Sequence, residues 1–425
     1  MTVLARARAW SALPLYRNAV VLMVNTGLTA GLGFVFWALA ARLYPPAELG
    51  LGSATISAAL FVTTVAHLGL PYAFVRFAPA AGAARATFAS TILFVVTVAA
   101  VLAGAVFVAG FDTWAPALNA VGDRPAVAVS IMSLAGATAA STMLVYVAIG
   151  ARDTRPALIG GLAHGMVKCG LIVAFAVLFA HVGLAVVGAW LLGTLAAVGV
   201  QLWLLRRRLA PRVDLDLLRL GSFLRYCAAN YGGELAWTAP GLLYPLLVVG
   251  LLGAEENAYF YIAWAIAGVL AGIPTAVASS LLAEGSHAHA ETANHLRRAL
   301  LLGIAIVTPA VAVVWFGAPL LLSLFGSTYV TESVGALRLL SLAALPLSVN
   351  MQYIAVARVD RAMPRVLGIT AVTGGAALVL AAGLGVQRGI EGMALAYLLA
   401  QTAMAIVLLL QGLRGARPVK PTSPH

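Results

Sequence analysis

Lys168 lies about ten residues into an apolar stretch near 158–180, and His164 stands one helical turn before it. At 1.5 Å per residue the lysine is ~15 Å from the end of such a helix, too deep for its stem to reach water readily. Residues i and i+4 share a helix face, so the two side chains act together. An ionisable group in lipid is penalised by about 2.5–3.5 kcal/mol on insertion scales and usually turns to the protein interior. A point charge beside a hydrogen-bond donor or second cation suits phosphate. The plainer alternative is a lysine bonded to a neighbouring helix for structure. Glu234, flanked by Gly232 and Gly233, is an acid inside an apolar stretch. It could bind a coupling proton or Na+, could neutralise Lys168, or could be a hydrogen-bonded interfacial residue. Beyond that ion the residues imply no cofactor: no His/Cys metal spacing, Gly-rich phosphate loop or nucleotide motif is present.

Weaker candidates surround these. Arg338, at the start of a stretch near 335–357, and Arg76, just after one near 49–70, could guide phosphate at the mouth of a cavity. Both could equally be interfacial anchors with long side chains. Asn25 and Asn350 could face a cavity, although amides in membrane helices often join helices at ~0.6 kcal/mol each. Gly27 and Gly31 with Gly33, and Pro240 with Pro245, interrupt their stretches and are candidate hinges. Such residues are also simply common in membrane helices.

The elements that must position these groups are membrane helices. A transmembrane helix needs roughly 20 mostly apolar residues to cross a ~30 Å hydrocarbon core. Such stretches fall near 18–40, 49–70, 87–110, 126–150, 158–180, 182–205, 227–252, 259–283, 299–325, 335–357, 366–385 and 390–411. The chain of 425 residues is 62% hydrophobic and 9% charged, where a soluble domain carries about 25% charged residues. The expected fold is therefore an all-α polytopic membrane protein of about 12 spans. A signal peptide is excluded for 18–40, because its apolar region exceeds the usual ~7–15 residues. Cys169 and Cys227 lie in or at the ends of helices, against a structural disulfide.

Charge placement tests the count. Positive residues accumulate in cytoplasmic loops. With the N-terminus inside, 21 of the 26 Lys and Arg fall in cytoplasmic segments, and Arg42, Arg124 and Arg388 fall outside. Lys168 and Arg338 alone fall within spans. The net charge of +12 is thus a topology signal that needs no nucleic acid to explain it. Both termini are expected in the cytoplasm.

The basic segment 206–225 halves the chain, giving an N-lobe over 1–205, a linker over 206–225, a C-lobe over 226–413 and a cytoplasmic tail over 414–425. Leu215, Leu217, Leu218, Leu220 and Phe223 interspersed with arginines suggest a short amphipathic interfacial helix meeting membrane lipids; a basic tether is the alternative. Six spans on each side give the lobes the same orientation, a parallel repeat. A shift of 209 residues superimposes Asn25 and LYPPAELG at 43–50 on Glu234 and LGAEENAY at 252–259. What recurs is a helix with a polar residue at similar depth, a short acidic turn, and a helix rich in small residues.

The phrases WALAARLYPPAELGLGSATIS at 37–57 and HLGLPYAFVRF at 67–77 resemble the first hairpin of polysaccharide-type flippases in the multidrug/oligosaccharidyl-lipid/polysaccharide exporter superfamily. FLRYCAANYGGEL at 223–235 and IPTAVASSLLAEGSHA at 273–288 are similar to its second-half layout. The resemblance implies two six-helix lobes around a central cavity that opens alternately to either face. It implies a polyprenyl-phosphate- or diphosphate-linked oligosaccharide as substrate, for cell-surface polysaccharide or lipopolysaccharide biosynthesis, with polysaccharide polymerase and glycosyltransferases as partners; the 24 Arg against two Lys and the abundant Ala point to GC-rich coding DNA and a bacterial plasma membrane. Some relatives carry arginines deep in the first two helices; this chain has none there.

Two other classes compete. A cation-coupled drug or small-solute antiporter of the same superfamily needs an acid in its cation site, and only Glu234 is available within a span. A membrane glycosyltransferase or polymerase would place acids or histidines on substantial outer loops, whereas the outer acids here are scattered over short turns. The chain is therefore not expected to be an enzyme.

Overall fold

A computed structural model describes residues 14–121, 124–178, 182–218, 221–285, 292–360 and 362–415. Among them there is no strand. The helices are α1 Pro14–Leu43, α2 Pro46–Ala66, α3 Leu70–Phe77, α4 Arg85–Ala109, α5 Arg124–Gly150, α6 Arg155–Leu178, α7 Gly183–Leu205, α8 Gly221–Leu252, α9 Ala254–Gly285, α10 Thr292–Ser323, α11 Ser327–Leu342, α12 Ala344–Val359 and α13 Met363–Gly415. Eleven segments among the described residues are long and apolar enough to cross a membrane. The last runs over 50 residues, enough for two crossings, and its backbone breaks at Arg388 and Gly389. Gly389, at φ 58° and ψ −145°, occupies a region open essentially to glycine alone. Counting that pair, the spans number twelve, as expected. The tenth is one segment, Ser327–Val359, made of α11 and α12 in succession.

The chain packs as two units. The first contains the described residues up to Ile262 together with Ser323–Tyr329, the second Ala263–Leu322 and the residues from Val330 onward. The division falls inside α9, past the 206–225 segment, because α8 packs on α2 and α3.

The first unit is built around α2, 78% of whose span is buried against 17% for α6. Its run of small residues explains this. Lipid supplies no hydrophobic drive between helices, so close packing requires small side chains. Gly50, Gly52, Ser53, Ala54, Ser57, Ala58 and Ala59 are all buried. A Cβ at Gly50 would overlap the Ala254 carbonyl, and one at Gly52 would come within 2.8 Å of Val186. Into the gap at Gly50 reaches Asn257, whose Nδ2 donates to the Gly50 carbonyl at 2.8 Å and lies 3.1 Å from Ser53 Oγ. Glu48, in the first turn of α2, accepts the Gly183 amide at 2.5 Å and so joins the starts of α2 and α7. At the other end of α2, Gly69 takes φ 72° to turn the chain into α3.

Phe74, Phe88, Val147, Leu205 and Phe223 pack together beside the 206–225 segment. No amphipathic α-helix forms among the described residues of that segment. It has only 3-10 turns at Arg206–Arg208 and Leu215–Leu218. The Ala210 and Asp214 amides donate to Ser90 and Thr91 of α4. Phe223 is already inside α8 and buried. Tying the backbone down every few residues leaves no room for a continuous interfacial helix. Cys169 and Cys227 are both free thiols.

In the second unit, Leu347, Met351, Ile354, Val366 and Leu408 form a shared core. The amide of Asn350 joins α12 to α13.

Candidate functional site

Lys168 is 3% exposed. Its Nζ lies 3.8 Å from the centre of the Trp190 ring and 5.1 Å from that of Phe36. These rings belong to a larger aromatic group. Phe36 and Trp37 of α1 meet Trp190 of α7 at 5.5 and 5.7 Å, and Trp37 meets Tyr261 at 4.6 Å. His164 stands edge-on to Trp190 at 5.3 Å, with Nδ1 3.4 Å from Thr194 Oγ1. The approach of α6 to α7 depends on Gly193, where a Cβ would come 2.8 Å from the His164 carbonyl. An ion pair joins Arg124 to Asp112 at the exposed start of α5, and none is formed by Lys168. Lys168 therefore has no carboxylate at ion-pair distance, and Glu234 does not neutralise it. A desolvated cation over an aromatic face gains about 2 kcal/mol, which only partly offsets an ionic desolvation penalty of several kcal/mol. The cluster around Lys168 is thus short of one negative charge.

Glu234 sits elsewhere in the first unit. It faces a cavity of about 170 Å³ that also takes in Thr64, His67, Tyr72, Tyr146 and Tyr231. Tyr72 and Tyr146 line it beside Glu234, and their rings meet edge to face at 5.2 Å. Thr238 Oγ1 donates to Glu234 at 3.3 Å, and the Tyr231 hydroxyl donates to the Val65 carbonyl at 2.8 Å. His67 Nε2 is buried without a partner. An acid from the second half of the sequence is thereby packed among residues of the first half.

The other candidates are dispersed. Asn25 of α1 turns its Oδ1, buried and unpartnered, toward Gly161 of α6. Asn350, 2% exposed, donates to the Gln401 side-chain oxygen at 2.7 Å and to its carbonyl at 3.1 Å. It joins two helices of the second unit. Arg338 is not at the start of its span. The helix begins at Ser327, hidden from hydropathy by the polar run STYVTES, and Arg338 lies well inside it. Its Nε donates to the Trp315 carbonyl at 3.2 Å and its guanidinium lies 5.6 Å from that ring. Arg76 is exposed at the end of α3, 5.4 Å from the Tyr226 ring. Gly27 and Gly31 would meet nothing within 4 Å if given a Cβ. Pro240 and Pro245 lie inside α8, with Pro245 buried.

Sequence reasoning missed the aromatic partners of Lys168, the tyrosines and histidine around Glu234, and Asn257. Aromatic and hydroxyl residues in an apolar helix carry no spacing that distinguishes a site from a lipid-facing belt.

No family model matches the sequence, and no curated protein does. Solved structures match the fold. A multidrug resistance MATE family transporter of the MOP superfamily, in an inward-facing conformation, aligns with TM-score 0.69 at 16% identity, covering 94% of this chain and 98% of that one. The lipid II flippase MurJ in an inward closed conformation aligns with TM-score 0.74 at 14% identity, covering 92% and 87%. A MOP superfamily transporter from Pyrococcus furiosus, described as having a binding pocket of reverse polarity, aligns with TM-score 0.65 at 15% identity, covering 95% of each chain. The chain has the fold of these transporters over nearly its whole length.

Proposed function

We propose that the chain is an alternating-access transporter that flips a polyprenyl-phosphate- or diphosphate-linked oligosaccharide across a bacterial plasma membrane. It would supply cell-surface polysaccharide assembly by polymerases and glycosyltransferases. The observation that carries this reading is the unneutralised Lys168. A buried ammonium with no carboxylate at hand selects an anion, and a lipid-linked sugar presents one as phosphate. A pocket for a cationic drug would reverse that charge. The rings over Lys168 come from α1 and α7, and α1 also carries Gly27 and Gly31 in open space. Bending α1 at those glycines would lift Phe36 from the ammonium and admit the phosphate.

The test is translocation of a fluorescent polyprenyl-diphosphate oligosaccharide in proteoliposomes, comparing wild type with Lys168→Ala. Translocation that fails in the variant supports the reading. Unchanged translocation returns Lys168 to a structural role, and none in wild type removes the flippase reading. A second reading, a cation-coupled antiporter, is favoured by Glu234 in the first unit and by the fold shared with MATE transporters. It predicts drug efflux that Glu234→Gln abolishes and Lys168→Ala does not.

A further inference from the structure

The cavity around Glu234 has a composition unlike that of a cargo site. At about 170 Å³ it has room for several waters, each filling about 30 Å³, and none for an oligosaccharide. Its titratable groups are Glu234 from α8, His67 from the end of α2, Tyr72 from α3, Tyr146 from α5 and Tyr231 from α8; no lysine, arginine or aspartate lines it. Among the described residues Glu234 is its only carboxylate. His67 also lines the cavity, and its Nε2 is buried without a partner.

We propose that this cavity is a proton-exchange site, in which one proton is held between the Glu234 carboxylate and the His67 imidazole through enclosed water. Tyr72 and Tyr146 orient the carboxylate. On acidification a proton leaves hydronium of the surrounding water and bonds to a Glu234 carboxylate oxygen; its passage to His67 breaks that O–H bond and forms an N–H bond at Nε2, with water carrying the proton between them. One observation favours a proton over a tightly ligated metal ion, and the sodium comparison below tests the remaining cation. No group of three or more His, Cys, Asp or Glu that could hold a metal occurs among the described residues. The four elements that meet here include both the α2–α3 turn, held by Gly69 against Cys227 of α8, and α8 itself with Pro240 and Pro245. A change of charge on Glu234 is therefore applied where α8 packs on α2 and α3. The use of that proton to drive transport rests on the transporter reading; the site does not.

The experiment is an infrared difference spectrum of the full-length protein in lipid between acidic and alkaline buffer, with and without sodium. The expected result is a carboxylic-acid C=O band that disappears in Glu234→Gln, changes frequency in Tyr72→Phe as a hydroxyl donor is lost, and is indifferent to sodium. Tyr72→Phe keeps the ring contact with Tyr146, so it reports even if Glu234→Gln does not fold. Loss of the imidazole signal of the same transition in His67→Gln completes the assignment. A band unaffected by both Glu234→Gln and Tyr72→Phe, or one that sodium erases, overturns the proposal. The spectrum needs no cargo, so failure of lipid translocation overturns the flippase reading and leaves this one standing.

Discussion

Replacing Lys168 by methionine removes the charge and keeps most of the bulk, which separates its two roles. Breaking a buried ion pair is costly because it strands the partner, but Lys168 has no ion-pair partner to strand. Lys168→Met is therefore expected to leave thermal unfolding in detergent unchanged or raised while abolishing headgroup translocation. A fall in stability of several kcal/mol would instead make the lysine structural. Trp190→Phe keeps a ring face but a weaker one, and should cost about 1 kcal/mol in the same unfolding measurement, provided Lys168 is present. In Lys168→Met the same change should lose that part of its cost. At this scale the sequence made Lys168, His164 and Glu234 visible through the expense of charge in lipid. It could not show their neighbours, since Phe36, Trp190, Tyr72 and Tyr146 come from helices far apart in the chain and are as welcome at a lipid surface as in a site.

Among the helices, α2 behaves as an axle whose glycines are required and α1 as an arm whose glycines are not packed. Gly50→Val should be severely destabilising, by roughly 3 kcal/mol or more, because a Cβ there meets the Ala254 backbone, which cannot yield like a side chain. Gly27→Ala and Gly31→Ala meet open space, and alanine is favoured over glycine in a helix by about 1 kcal/mol. Unfolding should be unaffected or delayed in both, while translocation slows if α1 bends there; wild-type rates in the double variant would end the hinge assignment. Pro240→Ala with Pro245→Ala should likewise slow translocation without preventing membrane insertion, as read by rate and by yield of inserted protein. Most element ends were legible from hydropathy. The exceptions have physical causes. The polar start of α11 hid a helix that Arg338 lies inside, and backbone bonds from 206–225 to Ser90 and Thr91 displaced the interfacial helix that its leucines suggest.

For the molecule as a whole, twelve crossings together with the bias of arginines predict that both ends of the chain face the cytoplasm. Asp153→Cys should then react with a membrane-impermeant thiol reagent only from the inner face, and Thr113→Cys only from the outer face. Labelling of both from one side would refute the topology. The class of protein, the number of spans and the rarity of buried charge follow from sequence alone. Each rests on the cost of moving polar groups into hydrocarbon, a cost paid residue by residue wherever the chain folds. Pairing does not follow. The register of α2 against α8 and α9, the rings over Lys168 and the enclosure of Glu234 by first-half residues depend on contacts between segments separated by up to about 200 positions. Those contacts are set by which small residues let backbones approach, as Gly50 does for Ala254 and Asn257. Tertiary packing alone decided that Lys168 and Glu234 occupy separate sites rather than one neutralised pair.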